Sequence, residues 1–432
     1  MIASSEIIEI RNNDQVKIGI GVSYKSILQQ TTLRLLESNL CPDGPKYPLE
    51  LTIADGLDGS GCHKIYNQFY GNPQFNTKNF ILFAFKMLSI IDSDGNTFWS
   101  NQIPNSPFCV RPMALVAQKE NKKNTKFLMD LMINPEVTNI EKDGLELPYG
   151  NVRVEILRTM FDGKMFGILS GAGGASCQLC TASFAELTDL ELVRSGFPIN
   201  RTITSAKEIF SIVDTKNYLL LPSKDRCGLT HEPISEIDII PASPLHTYTC
   251  VFRWFMLLIY HIRSGTFKWW PTSRVIKESM KFTREFLCEK TGLRIDQPSS
   301  DGGTTSTGNM ARQCFLNKNN LIYWVSTLIS EDMREPINTL HSNLSVLLRI
   351  FNCDHAVDTD KLNSLCKDTY ESILSNFPWA NVTPSLHRLL AHSTELVRDC
   401  NGGFGLKNFS EEAVEACNKL IRRYREHLAR KI

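Results

Sequence analysis

Acidic residues follow two strand-like segments of the sequence. Asp55 comes directly after Leu49–Ala54 (LELTIA), and Asp162 follows Val152–Met160 (VRVEILRTM). The ends of strands commonly carry functional side chains to one edge of an α/β sheet, so these two carboxylates are expected to lie near each other. A further group of acids lies in the C-terminal segment, at Glu411, Glu412 and Glu415.

Three such carboxylates would suit the binding of two divalent cations. Mg²⁺ prefers hard oxygen ligands and keeps several waters, so a few Asp and Glu side chains suffice. Two ions ~3.5–4 Å apart activate the attacking oxygen and stabilise the leaving oxygen in a displacement at phosphorus. The spacing leaves alternatives open, because Asp58 is an equal candidate within ADGLDGSG and has a natural role in a turn. The glutamates could also serve only to complement a helix dipole.

Two cysteines and two histidines have the spacing of zinc ligands. Cys177 and Cys180 form a C-x2-C pair, and four residues separate His387 from His392. Both gaps suit tetrahedral Zn²⁺, and the histidine spacing requires a helix to end or bend between them. A redox-active C-x-x-C pair is one alternative, and core cysteines with solvated histidines are another. A zinc ion would join the segment after Asp162 to the segment before the last helix.

A mixed sheet is the element that must position the first two acids. A helix with a break at Pro135 is predicted over Asn124–Leu147, between the third and fourth strands. The order β-β-β-α-β indicates a mixed sheet with one helical crossover. The predicted strands are Leu49–Ala54, Asn79–Ile91, Cys109–Gln118 and Val152–Met160, and a helix is predicted before them at Tyr24–Ser38.

After Asp162 the pattern becomes helical. Residues 250–290, 318–352 and 360–376 carry apolar residues at helical spacing, and Ser299–Gly308 is predicted to be a loop. A final amphipathic helix is predicted from Asn408, with Ser410 as its cap. The fold class is therefore α/β, with a sheet core interrupted by a large, mainly helical insertion and closed by a C-terminal helix. The apolar stripe of that helix would consist of Ala416, Leu420, Tyr424 and Leu428.

The composition is that of a soluble globular protein. The 432 residues are 42% hydrophobic and 22% charged, with a formal net charge of +1, which argues mildly against a self-sufficient nucleic-acid binder. No apolar run reaches the ~18 residues of a membrane helix, and acids occupy the place where a secretion signal needs positive charge. The 13 cysteines are mostly scattered singly, which suggests a reducing compartment. The two glycine clusters, at 171–174 and 303–308, match neither a dinucleotide-binding loop nor a Walker loop.

Taken together, these motifs resemble those of the Transib transposases and the related catalytic subunit of the V(D)J recombinase. The resemblance is collinear from about residue 45 to the end of the chain, and its last block is the most specific. The matching blocks are ADGLDG around Asp55, RTMFDGK around Asp162, the CQLC pair, GNMAR at Gly308–Arg312, LHRLLAHSTELV around the two histidines, and SEEAVEACNKLIRRYR around Glu415.

The resemblance implies a ribonuclease-H-like core with a DDE triad of Asp55, Asp162 and Glu415. The triad would hold two Mg²⁺ or Mn²⁺ ions, and the two cysteines and two histidines would hold one structural Zn²⁺. The implied boundaries are 1–45 for an N-terminal segment related to a linker or dimerisation region, 46–165 for the first part of the core, 166–395 for the helical insertion with the zinc site, and 396–432 for the C-terminal catalytic helix.

The implied activity is cut-and-paste DNA transfer in the nucleus. One strand is nicked beside a terminal inverted repeat, the freed 3′-hydroxyl forms a hairpin on the flanking DNA, and the element's 3′-ends then join target DNA. The implied partners are double-stranded DNA and a second copy of the chain. The expected DNA contacts are Asn309, Arg312, Lys419, Arg422 and Arg423.

Simpler interpretations remain beside this one. The basic face of the last helix could be merely solvated, and Trp269-Trp270 fits core burial better than stacking on a displaced base. Only 54 residues precede Asp55, where the family carries DNA-binding and dimerisation segments. An alternative is therefore a truncated or domesticated, catalytically inactive DNA-binding or scaffold protein. A structural zinc protein without a nucleic-acid role is a third interpretation.

Overall fold

The structure is a computed structural model, and it describes most of the chain. The described residues are 7–38, 45–60, 79–174, 176–180, 182–212, 228–240, 243–269, 274–296, 307–316, 320–401, 403 and 405–427. None of the helices within these ranges is both long enough and apolar enough to span a bilayer.

An eight-stranded mixed sheet forms the core of the first part of the chain. The strand order is β1-β2-β6-β4-β3-β8-β7, with β5 paired to β4. The pairing of β3 with β8 is parallel and the other pairings are antiparallel. The strands are β1 (Ile7–Arg11), β2 (Lys17–Val22), β3 (Leu49–Ser60), β4 (Phe80–Ile91), β5 (Thr97–Ser100), β6 (Val110–Val116), β7 (Leu145–Leu147) and β8 (Gly150–Arg158).

Both faces of the sheet are covered at its centre, which explains why the sequence of β4 is almost continuously apolar. Successive side chains of a strand point to opposite faces. Ile53 and Leu57 of β3 therefore pack in one cluster, with residues of α1 (Tyr24–Ser38) and α3 (Asn134–Asp143). Ala54 packs on the other face, against the last helix, α15 (Glu412–His427). The predicted α/β class is confirmed.

The segment between the third and fourth predicted strands differs from the prediction. A π-helical turn at Met129–Ile133 separates α2 (Lys122–Leu128) from α3. Pro135 lies in the first turn of α3, where its missing N–H costs nothing, so it does not break the helix. The chain then leaves the helix at Gly144, whose φ is +67°. Leu145–Leu147, predicted as helix, is strand β7.

The N-terminal segment contributes to the sheet, which the sequence analysis missed. The hairpin of β1 and β2 adds to the sheet through β6, with Gly19 of β2 opposite Val116. A side chain at Gly19 would meet the backbone of Leu115 at 2.5 Å, so this strand reaches its neighbour only with glycine there. The predicted helix Tyr24–Ser38 is confirmed.

The region after Asp162 is mainly helical, as predicted, and has its own apolar core. Its longest helices carry buried apolar side chains at helical spacing. Trp269 is buried among the aromatic rings of His261, Trp254 and Trp379, so core burial explains it, and Trp270 lies outside the described residues. Much of the predicted loop Ser299–Gly308 also lies outside them. The helices are α4 (Gly163–Ser170), α5 (Leu190–Ser195), α6 (Ile203–Ile212), α7 (Pro244–Ser264), α8 (Arg274–Thr291), α9 (Gly308–Phe315), α10 (Leu321–Ser326), α11 (Glu331–Phe351), α12 (Thr359–Asn376), α13 (Pro384–Ala391) and α14 (Ser393–Asn401).

The last helix turns a different face to the core from the one predicted. A 3-10 turn at Leu406–Phe409 precedes it, and the Ser410 hydroxyl accepts a hydrogen bond from the backbone N–H of Glu412 at 3.3 Å. The predicted stripe is wrong, because Tyr424 is half exposed and Ala416 and Leu420 are only partly buried. Leu428 lies outside the described residues. The buried face consists of Ala413, Val414, Cys417 and Asn418.

Gly56→Ala should destabilise the protein, because a Cβ at Gly56 would lie 2.1 Å from the carbonyl oxygen of Met160. Overpacking of this kind costs about 1–3 kcal/mol in the free energy of unfolding. Gly174→Ala is the matched control, since nothing lies within 4 Å of its added Cβ. Denaturant unfolding of both variants tests the close packing of β3 on the segment after β8, and equal stabilities would contradict it.

Candidate functional site

Asp55 lies on the face of β3 that points away from α15. Its side chain is fully buried, and Arg158 of β8, its partner in register, donates from Nε to Oδ1 at 3.2 Å and from a terminal nitrogen to Oδ2 at 3.1 Å. The Tyr24 hydroxyl lies 3.5 Å from Oδ2. Burial raises the pKa of Asp55, and Arg158 opposes that shift. The carboxylate is thus a member of a buried ion pair.

Asp58 faces the other way, towards α15. The side-chain amide of Asn418 donates to Asp58 Oδ2 at 2.5 Å, which ties the end of β3 to the last helix. Burial raises the pKa of Asp58 to about 7, and the negative charges of Asp162, Glu120 and Glu415 add to the effect. Of the two acids in ADGLDG, Asp58 is therefore the one that interacts electrostatically with Asp162 and Glu415.

Asp162 and Glu415 each have a structural contact as well. Asp162 caps α4, and its Oδ1 accepts a hydrogen bond from the backbone N–H of Met165 at 2.6 Å. Glu415 lies in the first turn of α15 and pairs with Lys419 at 3.1 Å, with 38% of its side chain exposed. Both carboxylates keep oxygen atoms that these contacts do not use, because a carboxylate accepts up to about four hydrogen bonds.

Glu120 is a neighbouring acid that the sequence analysis missed. It follows β6, and a Cβ on Gly59 would lie 2.3 Å from its Oε2, so it lies against the end of β3. Lys164 pairs with Glu120 at 3.1 Å, and burial together with the charge of Asp162 raises the pKa of Glu120. The signal was available, since Glu120 follows a predicted strand just as Asp55 does.

Four acids therefore border one region at the end of β3, and we call them the carboxylate cluster: Asp58, Glu120, Asp162 and Glu415. Their charges influence one another, but their carboxylate oxygens do not all lie within 4.8 Å of one another. Within the described ranges, only one group of three or more Cys, His, Asp or Glu residues brings its ligand atoms within 4.8 Å of one another, and it is not this one. Asp55 is not a member of the cluster, so the set of Asp55, Asp162 and Glu415 stays a prediction.

The group that does converge consists of the four predicted zinc ligands. The ligand atoms of Cys177, Cys180, His387 and His392 all lie within 4.8 Å of one another, and all four residues are buried. Cys180 Sγ lies 3.4 Å from His387 Nε2 and 3.3 Å from His392 Nε2. A hydrogen bond from Cys180 lowers the pKa of Cys177, which favours the thiolate. Two thiols and two imidazoles are a donor set that suits tetrahedral Zn²⁺.

Local structure explains how the histidine pair reaches one centre. Thr383 caps α13, and the helix ends at Ala391, so His392 follows as its C-cap rather than continuing the helical face. The expectation that a helix ends between the two histidines is confirmed. On the cysteine side, the backbone N–H of Leu179 donates to Cys177 Sγ at 3.4 Å, and Cys177 N–H donates to the carbonyl of Ala182 at 3.1 Å.

Tyr370 selects the ring nitrogen that His387 presents. Its hydroxyl lies 2.7 Å from the carbonyl oxygen of Leu187 and 2.9 Å from His387 Nδ1. The hydroxyl has one proton and donates it to the carbonyl, so it must accept from Nδ1–H. That tautomer leaves the lone pair of Nε2 free and directed at the cysteines, as metal ligation requires.

Three consecutive residues at the start of α15 bind three separate elements. Lys86 of β4 donates from Nζ to the carbonyl oxygen of Ser410 at 2.8 Å. Glu411 accepts from His246 Nδ1 and from Ser243 Oγ at 2.5 Å each, and Arg312 of α9 pairs with Glu412. The helix that carries Glu415 is therefore anchored to the sheet and to the insertion at once.

The predicted DNA-contacting residues divide into two groups. Asn309, Lys419 and Arg423 are exposed and Arg422 is partly exposed, which suits contact with a ligand. Arg312 is only a quarter exposed, pairs with Glu412 and lies over the ring of Tyr248, so its guanidinium is engaged within the protein.

Comparison with known families bears on the core. Residues 51–176 match the family model of the recombination-activation protein 1 (RAG1) RNase H domain. The match runs from β3 to the position before Cys177, and it covers Asp58, Glu120 and Asp162. A search of curated proteins finds no match. The mixed sheet is thus an RNase H-like domain, and the match supports a recombinase- or transposase-related nuclease family.

Loss of one cysteine ligand should release zinc. Wild-type protein is expected to carry about one Zn²⁺ per chain, and Cys180→Ser should lose it and unfold at a lower temperature, because structural zinc contributes to folding. Cys288→Ser, which replaces an exposed cysteine, is the control and should keep the metal. Elemental analysis of the purified variants decides the matter, and an equal zinc content in both would contradict the assignment.

Tyr370→Phe should weaken zinc binding without removing a ligand. The variant lacks the hydroxyl that holds His387 in the required tautomer, and loss of such a partner typically costs ~10–100-fold in metal affinity. Competition with a chelator measures the change. An affinity equal to that of the wild type would show that Tyr370 does not orient His387.

The His246–Glu411 pair should make stability depend on pH. Burial alone would lower the pKa of His246, but the hydrogen bond and charge of Glu411 raise it to about 10, and His246 in turn lowers the pKa of Glu411. The raised pKa of His246 contributes stability that is complete below about 6.5, its unfolded value, and is lost as the pH rises to about 10. His246→Gln should therefore destabilise more at pH 6 than at pH 9, as measured by urea unfolding. A difference that grows with pH would contradict the pairing.

Proposed function

We propose that the chain is a metal-dependent DNA recombinase of the Transib transposase type. Its activity would comprise nicking, hairpin formation and strand transfer at terminal inverted repeats. The observation that carries the proposal is the match of β3 to α4 with the RAG1 RNase H domain, together with the carboxylate cluster at the end of that sheet. Double-stranded DNA is the proposed substrate, and a homodimer in the nucleus is the proposed assembly.

The carboxylate cluster fits Mg²⁺ or Mn²⁺. Its four acids come from four elements and supply the hard oxygen donors that these ions prefer, and burial and mutual repulsion make a cationic occupant favourable. When bound, a pair of such ions supplies the positive charge that activates an attacking oxygen and stabilises a leaving oxygen at phosphorus. Lys164 and Lys419, which pair with members of the cluster, add positive charge where a phosphate would approach.

The first acid of the catalytic set has two candidates in ADGLDG. The resemblance assigns the role to Asp55, whereas the geometry favours Asp58, because only Asp58 faces α15 and interacts with Asp162 and Glu415. In the geometric interpretation, Asp55 neutralises Arg158 and holds β3 to β8. The proposed metal-binding acids are therefore Asp58, Asp162 and Glu415, with Glu120 beside them, and Asp55 is the alternative.

The zinc centre has a structural role in this proposal. It joins the segment directly after α4 to α13, which precedes the helix that carries Glu415. The exposed side chains of Lys419 and Arg423 on that helix would contact phosphates beside the cluster.

A non-catalytic DNA-binding protein of the same descent is the second candidate. The ion pair of Asp55 with Arg158 favours it. Both carboxylate oxygens of Asp55, the acid that the resemblance assigns to catalysis, accept hydrogen bonds from Arg158, and neither faces α15. This protein would bind DNA without cutting it, and its acids would serve only structural roles.

Nicking of supercoiled plasmid DNA in the presence of Mn²⁺ tests the proposal. The wild type should nick, and Asp162→Asn and Asp58→Asn should lower the rate by at least roughly 100-fold, as loss of one charge-stabilising group at a reacting centre typically does. Asp368→Asn, which replaces an exposed acid on α12, should nick at the wild-type rate. Binding without nicking by the wild type would favour the second candidate.

Asp55→Asn separates the two candidates for the first acid. The substitution leaves Arg158 buried without its ion-pair partner, and breaking a buried pair costs about 3–5 kcal/mol, so the variant should lose stability. If folded Asp55→Asn loses nicking while Asp58→Asn keeps it, the assignment from the resemblance holds and the geometric one is overturned.

A further inference from the structure

Lys86 is a charged side chain at the centre of the sheet. It lies in β4 between the apolar residues of the face that packs on α15, opposite Ala54 and Val110, and it is fully buried. A buried ammonium is costly unless polar groups surround it. Burial lowers the pKa of Lys86 to about 7, and the negative charge of Glu411 opposes the shift.

The partners of Lys86 all lead to the chain just before α15. Its Nζ donates to the carbonyl oxygen of Ser410 at 2.8 Å and to Asn105 Oδ1 at 3.3 Å. Asn105 in turn donates from Nδ2 to the carbonyl oxygen of Lys407 at 3.1 Å. The carbonyl of Lys407, in the 3-10 turn, and that of Ser410, directly after it, are thus fixed to the sheet side, one by each side chain.

Glu411 anchors the next residue to the insertion. This buried carboxylate accepts from Ser243 Oγ at 2.5 Å, from the backbone N–H of His246 at 3.1 Å and from His246 Nδ1 at 2.5 Å. Ser243 and His246 belong to the start of α7. We call the two anchors the α15 clamp: Lys86 with Asn105 on the sheet side, and Ser243 with His246 on the insertion side.

We propose that Lys86 and His246 are positioning residues that set the place of Glu415 in the active site. This inference rests on the proposed function, since it assumes that Glu415 binds catalytic metal. The clamp forms hydrogen bonds with residues 410 and 411, and Glu415 lies four positions after Glu411, or about one helical turn. The sheet side fixes α15 relative to Asp58, and the insertion side couples the same helix to α7.

The apolar packing of α15 on the sheet does not by itself fix the position of the helix, so hydrogen bonds must do so. The buried apolar residues of α15, Ala413, Val414 and Cys417, share one cluster with Ala54, Leu82, Ala84, Val110 and Met160. Such apolar contacts are non-directional, whereas the hydrogen bonds of the clamp, like that of Asn418 with Asp58, have a preferred geometry. Metal ligands must be held within ~0.5 Å of their productive positions, so the clamp has a specific consequence for metal binding.

Lys86→Met removes the ammonium while keeping a long apolar side chain. The expected result is an apparent Mn²⁺ affinity in the nicking assay that is weaker by roughly tenfold or more, with the rate at saturating Mn²⁺ changed only a few-fold. The amides of the first turn of α15 should also exchange hydrogen faster. Lys407→Met is the matched control, because it removes from the same turn an ammonium whose ion pair among the described residues is with Asp354, and it should match the wild type in both measurements.

Several outcomes would overturn the inference. Wild-type Mn²⁺ affinity and wild-type amide exchange in Lys86→Met would show that the anchor does not position α15. An equal loss in Lys86→Met and Lys407→Met would show a general effect of charge. If Lys86→Met fails to retain zinc and fold, His246→Ala tests the clamp from the insertion side, with His246→Gln, which can still donate to Glu411, expected to restore Mn²⁺ affinity.

A direct measurement separates this inference from the proposed function. Mn²⁺ binding followed by electron paramagnetic resonance requires no DNA cleavage. Weaker Mn²⁺ binding by Lys86→Met than by a wild type that does not nick would support the clamp and contradict the recombinase. Nicking by the wild type, with Mn²⁺ binding unchanged in Lys86→Met, would support the recombinase and contradict the clamp.

Discussion

The arrangement of the site depends on the alternation of side chains along β3. Asp58 follows Asp55 by three positions, an odd offset, so the two side chains face opposite sides of the sheet and only one of them can meet α15. The parallel register of β3 with β8 places Arg158 opposite Asp55, and a slip of one residue would leave both charges buried without partners. The backbone N–H groups of Thr159 and Met160 both donate to the carbonyl of Asp55, so the same register brings the chain past the end of β3 towards Asp162.

The converging Cys and His pairs and α15 constrain the long insertion. Glu415 must return to a sheet from which more than 200 residues separate it, and an unconstrained segment of that length leaves its position undefined. The Cys and His pairs bring the two ends of the insertion together. The path from the sheet to Glu415 then runs through this junction, and only the short segment after His392 separates the junction from α15. The insertion can then keep its own apolar core without displacing α15.

Sequence reasoning predicted what local chemistry determines and missed what packing determines. The central strands, the α/β class and the four zinc ligands follow from turn signals, apolar runs and ligand spacing, and the structure confirms that the ligands converge. Leu145–Leu147 was predicted as helix, because the pattern of the preceding helix continues into it while the turn at Gly144 depends on a positive φ. The choice between Asp55 and Asp58 depends on which face of β3 meets α15. The contact of Lys86 with Ser410 could not be predicted, because 324 positions separate the two residues.

The start of α15 shows what buried charges contribute beside the carboxylate cluster. Lys86 and Glu411 are both buried, carry opposite charges and act on one another, yet each binds a different element. Replacing such groups by apolar residues of similar size is often neutral or favourable for stability alone. Apolar contacts such as those of Ala413, Val414 and Cys417 are non-directional, so they cannot replace the directional hydrogen bonds at the start of α15. If Glu415 binds metal together with the other acids, as proposed, charged hydrogen bonds one helical turn away fix its position, even at a cost in desolvation.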